Sequence, residues 1–229
     1  MNSRIHFIML AALAGILTCC RHGMLYQVVV HTGDNLVAID GANDDEAWQG
    51  TQQIALANPW GELSPKTTLT LIADSRNLYF FFDVEDDEIL LKPEYATERD
   101  AEKEDRVELF FSKDKKMNDY YCLEIDAAGR ILSYSASHYR NFDFEWEPPA
   151  GFHVACRIRH DGYSVEGCIP MDFIQTFAQK NNQIYFGAYR AEFSEKDGQI
   201  IENWQTWVNP STPEPDFHVP TSLGAIILK

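Results

Sequence analysis

The chain has 229 residues, enough for one sizeable domain and short for two. Hydrophobic residues make up 45% of it, which suits a packed core and argues against disorder. With 35 acidic against 19 basic side chains, the formal charge of −16 opposes nucleic acid and anionic lipid surfaces and leaves neutral glycans and divalent cations as partners.

Residues 1–19 read as an export signal. Arg4 and His6 give a weak basic start, and the apolar stretch from Phe7 to Leu17 is too short to cross a bilayer. The ending Leu17-Thr18-Cys19-Cys20 resembles a bacterial lipoprotein box, which implies lipidation of Cys19 or Cys20; an ordinary signal peptide without lipid is the alternative. The resemblance implies a cell-envelope protein, at the outer membrane or surface, touching membrane only through its anchor.

Residues 20–34 read as a tether and first strand, and 35–229 as one domain. The strand pattern of Leu25 to Thr32 continues through Asn35 to Ile39 into an Asp40-Gly41 turn. Asp44-Asp45-Glu46-Ala47-Trp48 is then a single helical turn with an acidic start, Trp48 plugging the core. Short β-branched and aromatic runs follow, bounded by turn residues: 67–74, 77–86, 104–111, 120–126 and 130–134. The charged stretch Glu85 to Lys103 is a long connection of the kind that serves a purpose. An aromatic-rich loop, 139–149, precedes a hairpin over 152–159 and 163–169. Taking Asp161-Gly162 as its two-residue turn pairs His160 with Tyr163 and sets Cys156 against Gly167. Cys156 and Cys168 then point to opposite sides, so Cys122, Cys156 and Cys168 read as buried, inert thiols. Pro170 to Phe177 is the one helix, and Gln183 to Phe193, Asn203 to Val208 and Leu223 to Leu228 complete the strands. The fold class expected is all-β: an antiparallel sandwich, immunoglobulin- or jelly-roll-like, with one short helix.

Glu108 sits between Val107 and Leu109, and Glu124 between Leu123 and Ile125. Side chains alternate across a strand, so both carboxylates fall opposite the apolar face, on a face expected to be exposed. A sugar needs carboxylates or amides at its hydroxyl edge and aromatic plates against its C–H face. Trp60, Tyr139, Trp146 and Trp204 are candidate plates, and Arg99, Arg140 and Arg190 candidate edge contacts. Two plates and a few polar contacts, less the cost of association, give a Kd of roughly millimolar to micromolar. Core packing is the competing reading for each aromatic. Arg190 could instead neutralise Glu108 or Glu124, and one of Trp204 and Trp207 belongs to the core.

Asp40-Gly41-x-x-Asp44-Asp45-Glu46-Ala47-Trp48, the Leu-Tyr strand ending in Asp-Val-x-Asp, Asp105-x-Val107-Glu108-Leu109-Phe110, Tyr120-Tyr121, Tyr163-Ser164-Val165-Glu166-Gly167 and Leu223-Gly224-x-Ile226-x-Leu228 occur in one order. Together they resemble the family 9 carbohydrate-binding modules, and Thr97-Glu98-Arg99-Asp100-Ala101 resembles the free-standing family 9-like proteins of gut-type bacteria. The resemblance implies a monomeric, non-catalytic binder of oligo- or polysaccharide that supports glycan capture or polysaccharide catabolism. It also implies a terminal-sugar site in which two tryptophans sandwich the ring while a Glu and an Arg hold its hydroxyls. Glu108 matches that Glu. The Trp positions hold Glu102 and Phe217, and the Arg position falls near Glu124, so the sandwich is not kept. The family's structural calcium implies ligands among Asp83, Asp86, Asp100 and Asp105, whose irregular spacing suits it. Two other readings stand beside binding. Glu108 and Glu124 allow a glycoside hydrolase or hydrolase-associated domain. The related DOMON-like sandwiches that bind haem through Met and His or Lys direct attention to Met117, Met171 and His138.

Overall fold

The computed structural model describes residues 24–61 and 64–229. The export segment, with Cys19 and Cys20, lies outside those residues. In chain order the strands are β1 (Leu25–Val30), β2 (Gln53–Ala55), β3 (Thr67–Ala73), β4 (Asn77–Glu85), β5 (Arg106–Ser112), β6 (Tyr120–Asp126), β7 (Ile131–Ser137), β8 (Asn141–Asp143), β9 (His153–Arg159), β10 (Gly162–Pro170), β11 (Gln183–Lys196), β12 (Gln199–Thr206) and β13 (Gly224–Leu228). The α-helix, α1, is Met171–Gln175.

One sheet runs β8-β7-β6-β5-β11-β13, with β12 also on β11; the other runs β3-β4-β10-β9, with β2 on β3. β1 joins them, lying parallel to β13 through Leu25 to Val28 and parallel to β3 through Val29 and Val30. The other strand pairs are antiparallel, as the alternating pattern implies. The core lies between the sheets. Val107, Leu109 and Phe111 of β5 and Leu123 and Ile125 of β6 meet Leu69 and Leu71 of β3 and Phe80 and Phe82 of β4. Each such side chain, removed from water, stabilises by roughly 1.5–3 kcal/mol.

The residues that alternate with these, Glu108 and Phe110 on β5, Cys122 and Glu124 on β6, face the other way. That face is not open, contrary to the sequence expectation. Ala101, Met117 and Phe217 cover it, with Trp60, Phe142, Phe144 and Trp204 partly buried around them, and leave Glu108 only 2% exposed. A third cluster backs the opposite sheet. There Trp48 is buried beside Phe81, and its indole N–H donates to Glu166 Oε1 at 3.1 Å.

Three local expectations need correction. Asn35 to Ile39 forms no strand; Asn35 turns at φ 58° and its amide donates to Asp74 Oδ2. In the β9–β10 hairpin Arg159 pairs with Gly162, so the connection is His160-Asp161. Gly162 belongs to the strand, paired with Arg159 and Glu85, and only glycine fits there because a Cβ would lie 1.9 Å from the Val84 carbonyl oxygen of the neighbouring strand. Cys156 therefore faces Val165, and Cys122, Cys156 and Cys168 are all free. The aromatic stretch after residue 139 is not all loop either. β8 pairs with β7, Ser135 opposite Asp143, and this extends the sheet by one strand.

Candidate functional site

Over the outer face of the β8–β13 sheet lies a cavity of about 410 Å³, within the ~300–1,000 Å³ range of small-molecule sites. Its floor is the strands themselves: Arg106 and Glu108 from β5, Glu124 from β6, Leu132 and Tyr134 from β7. Arg99 and Glu102, from the 3-10 turn Glu98–Lys103, form one wall. Phe142 and Phe144 rise on the β8 side, Trp204 stands on the β12 side, and the segment Pro215 to His218 closes the top.

The strand period dictates the floor. Arg106 and Glu108 are two apart on β5 and share a face, and the β5–β6 register sets Glu108 opposite Glu124. Two like charges so placed repel. The Arg106 guanidinium relieves this, with Nε 2.6 Å from Glu124 Oε2 and Nη2 3.0 Å from Glu108 Oε1. The Tyr134 hydroxyl donates to the other oxygen of Glu124 at 2.6 Å. Burial, then the charge of Glu124, push the Glu108 carboxyl up to about 8 against the pull of Arg106. Burial works against the Arg106 charge, but Glu124 and Glu108 outweigh it and hold the guanidinium above its ordinary value.

At the rim Arg99 stacks over the Phe144 ring at 4.5 Å and pairs with Glu102 at 2.6 Å. Arg140 Nη2 lies 3.0 Å from Asp216 Oδ1, tying the β7–β8 turn to the top segment. Phe217 stacks on Tyr189 at 4.2 Å and meets Trp204 edge-on. His218 Nδ1 lies 3.0 Å from the Tyr120 hydroxyl; burial, then Arg140, lower its pKa to about 3, so the ring is neutral, one nitrogen donor and one acceptor.

Of the residues singled out from sequence, Glu108, Glu124, Arg99, Arg140 and Phe217 line this one cavity. Arg190 and Trp146 do not. Arg190 pairs with Val107 in the β5–β11 register and so shares the inner face. There it is fully buried, donates to Asp86 at 2.8 Å, and leaves the neutralising of Glu108 and Glu124 to Arg106. Trp146 packs on Phe173 and Tyr121 at the edge of the main core. Among the other aromatics Trp204 lines the cavity, Trp60 backs Phe217 from behind, and Tyr139 binds Asp216 through its hydroxyl. Trp207 belongs to the core, against Phe186. Arg106, Tyr134, Phe142, Phe144 and His218 were missed. The signal for Arg106 and for the Phe142/Phe144 pair was period-two spacing, once their strands were known.

The four aspartates do not fit calcium. Asp83 is paired with Arg159, and Asp86 with Arg190. Asp100 caps the 3-10 turn through the amides of Ala96 and Thr97 and meets Lys92, and Asp105 accepts from the amides of Leu90 and Phe193. Cationic and amide donors thus occupy at least one oxygen of each aspartate, and no group of three or more His, Cys, Asp or Glu gathers for a metal among the described residues. Haem finds no better setting. Met117 and Met171 are buried in different clusters, and neither they nor His138 line the cavity.

Residues 39–229 match the family described as "Carbohydrate family 9 binding domain-like". In structure the chain is similar to a family 9 carbohydrate-binding module from Caldicellulosiruptor kristjanssonii in complex with cellotriose, with TM-score 0.64, 16% identity, and 90% of this chain and 94% of that one covered. The same organism's module in complex with glucose gives TM-score 0.60 at 16% identity, covering 89% and 95%. A candidate carbohydrate-binding protein from Bacteroides uniformis ATCC 8492 gives TM-score 0.66 at 13% identity, covering 90% and 100%. At these identities the likeness is one of fold. Among curated proteins none matches the chain.

Proposed function

The chain belongs to the carbohydrate family 9 binding domain-like family, and from that premise we propose that it is a non-catalytic carbohydrate-binding protein whose sugar site is the cavity over Glu108 and Glu124. One observation carries this reading. A single cavity combines aromatic side faces, Phe142, Phe144 and Trp204, with a charged floor of Arg106, Glu108 and Glu124. Rings suit the C–H face of a sugar, and carboxylate and guanidinium suit its hydroxyls. The related modules hold cellotriose and glucose, which is consistent with a gluco-configured ligand here.

A glycosidase needs one carboxyl free to protonate the leaving oxygen and a second free to attack or to activate water. Here Glu124 gives one oxygen to the Arg106 guanidinium and the other to the Tyr134 hydroxyl, so the second carboxyl is not free. This arrangement supports binding without hydrolysis as the reading we propose. A glycan array followed by calorimetry tests the reading: an oligosaccharide bound with roughly millimolar to micromolar Kd and recovered uncleaved supports it. Binding to no glycan sinks it.

The same proposal places the protein outside the cytoplasm as a monomer held by a lipid on Cys19 or Cys20, collecting glycan at the surface. Its support is the Leu17-Thr18-Cys19-Cys20 ending of the apolar segment. Radioactive palmitate should label the wild type and spare a Cys19→Ala, Cys20→Ala double variant; equal labelling refutes the anchor.

A further inference from the structure

With both glutamates ionised the cavity floor carries more negative than positive charge, and burial together with that surplus raises the pKa of the Glu108 carboxyl. Arg106 is the one cation against two buried carboxylates, Glu108 and Glu124. On the rim the charges cancel, Arg99 with Glu102 and Arg140 with Asp216, while His218 is neutral. The donors of Arg106 are also committed elsewhere. Nε serves Glu124, and Nη1 serves the backbone carbonyls of Ala101 and Glu102 at 3.3 and 3.0 Å. Nη2 approaches Glu108 Oε1 to 3.0 Å without hydrogen-bond geometry, and that oxygen has no hydrogen-bond partner among the described residues. Glu108 is thus a nearly buried acceptor on the cavity wall, underserved by donors and opposite a like charge.

Resting on the carbohydrate reading above, we propose that the cavity selects an amino sugar, a hexosamine unit whose free ammonium group lies against Glu108. A neutral hydroxyl supplies a hydrogen bond but leaves the extra charge in place. A uronic acid adds a third carboxylate to the floor. An acetamido group brings bulk and no charge. Only an ammonium supplies both the donor and the missing positive charge, and a charge-assisted bond is roughly twice as strong as a neutral one. At a carboxylate only 2% exposed the attraction is also less screened than at the surface. Burial and the Glu124 charge hold the Glu108 carboxyl at about 8, so at neutral pH an ammonium there takes the place of a proton. Binding of the charged amine therefore releases that proton.

Calorimetry on the intact protein with trisaccharides that differ only at C2 tests this: cellotriose (hydroxyl), the fully deacetylated glucosamine trimer (ammonium) and the N-acetylglucosamine trimer (acetamide). At neutral pH the glucosamine trimer should bind about tenfold or more tighter than cellotriose, the acetylated trimer should gain nothing, and the advantage should shrink as pH falls and Glu108 keeps its proton. The heat for the glucosamine trimer alone should change with the ionisation enthalpy of the buffer, in the sense of proton release. Glu108→Gln should erase the preference. If that variant does not fold, the buffer dependence of the wild type decides: no proton release overturns the inference. Cellotriose bound as tightly as the glucosamine trimer overturns it and leaves the carbohydrate reading standing, as does a preference that survives in Glu108→Gln. Failure to bind all three trimers and every sugar on a glycan array overturns both.

Discussion

Glu108 and Glu124 stand directly opposite each other on β5 and β6, and a single guanidinium, that of Arg106 two residues from Glu108 on β5, contacts both. The three side chains are 2%, 4% and 5% exposed as residues. Two acids and one base out of water form a unit whose members depend on one another.

Arg106→Met removes the only positive charge of that unit and should destabilise the fold by about 3–5 kcal/mol at neutral pH, the cost of leaving buried charge uncompensated. Acidification should recover part of the loss, because protonating the glutamates removes the repulsion. Urea melts of wild type and variant at two pH values measure it; an equal loss at both counts against the unit.

Stability of the wild type should fall as pH rises from mildly acidic to mildly alkaline. Glu108 is pushed up to about 8 by burial and the Glu124 charge, and Asp105 to about 7 by burial, so each binds its proton more tightly folded than unfolded. Their contribution is complete below the unfolded-state values of about 4 and is lost as pH climbs through about 7 and about 8. Each group sets a slope no steeper than about 1.4 kcal/mol per pH unit. Asp74 works in the opposite direction. Burial raises its pKa, but hydrogen bonds from Tyr79 and the amides of Arg76, Asn77 and Asn35 outweigh this and hold it low, so its contribution is lost as pH falls below the ordinary carboxylate range. The urea midpoint should therefore peak in mild acid, and Glu108→Gln should flatten the alkaline side. A midpoint that rises steadily with pH contradicts this.

Trp204→Ala and Phe144→Ala should each weaken a bound sugar by up to about tenfold, the worth of one stacking ring, beyond whatever stability their packing on Phe217 and Tyr134 contributes. Trp146→Ala should do the reverse. Its ring is 5.9 Å from Phe173 and 5.1 Å from Tyr121 in the core rim, so about 2–4 kcal/mol of stability goes while affinity holds. Calorimetry paired with thermal melts separates the cases, and an affinity loss confined to Trp146→Ala would move the site.

Arg190→Met offers the matching control for charge. It breaks the buried pair with Asp86 and the bonds to Thr67 and the Glu85 carbonyl. About 3 kcal/mol or more of stability should go with no change in sugar affinity at a temperature where the variant remains folded. A selective loss of affinity would return Arg190 to the site.

Alternation alone determined much of this protein. Val107, Leu109 and Leu123 could face the core only if Glu108 and Glu124 faced away from it, since a strand has two faces and a period of two. The order of the strand motifs carried the family resemblance, and the charged connection before Arg106 was legible as a purposeful loop. What sequence could not decide was register and cover. Whether Arg190 or Arg106 meets the glutamates depends on Tyr189, not Arg190, lying opposite Glu108, and a shift of one residue reverses every side chain. Whether the acidic face is wet or sealed depends on loops distant in sequence, Ala101, Phe144 and Phe217, converging on one sheet. Local pattern fixes which way a side chain points; only tertiary contact decides what it meets there.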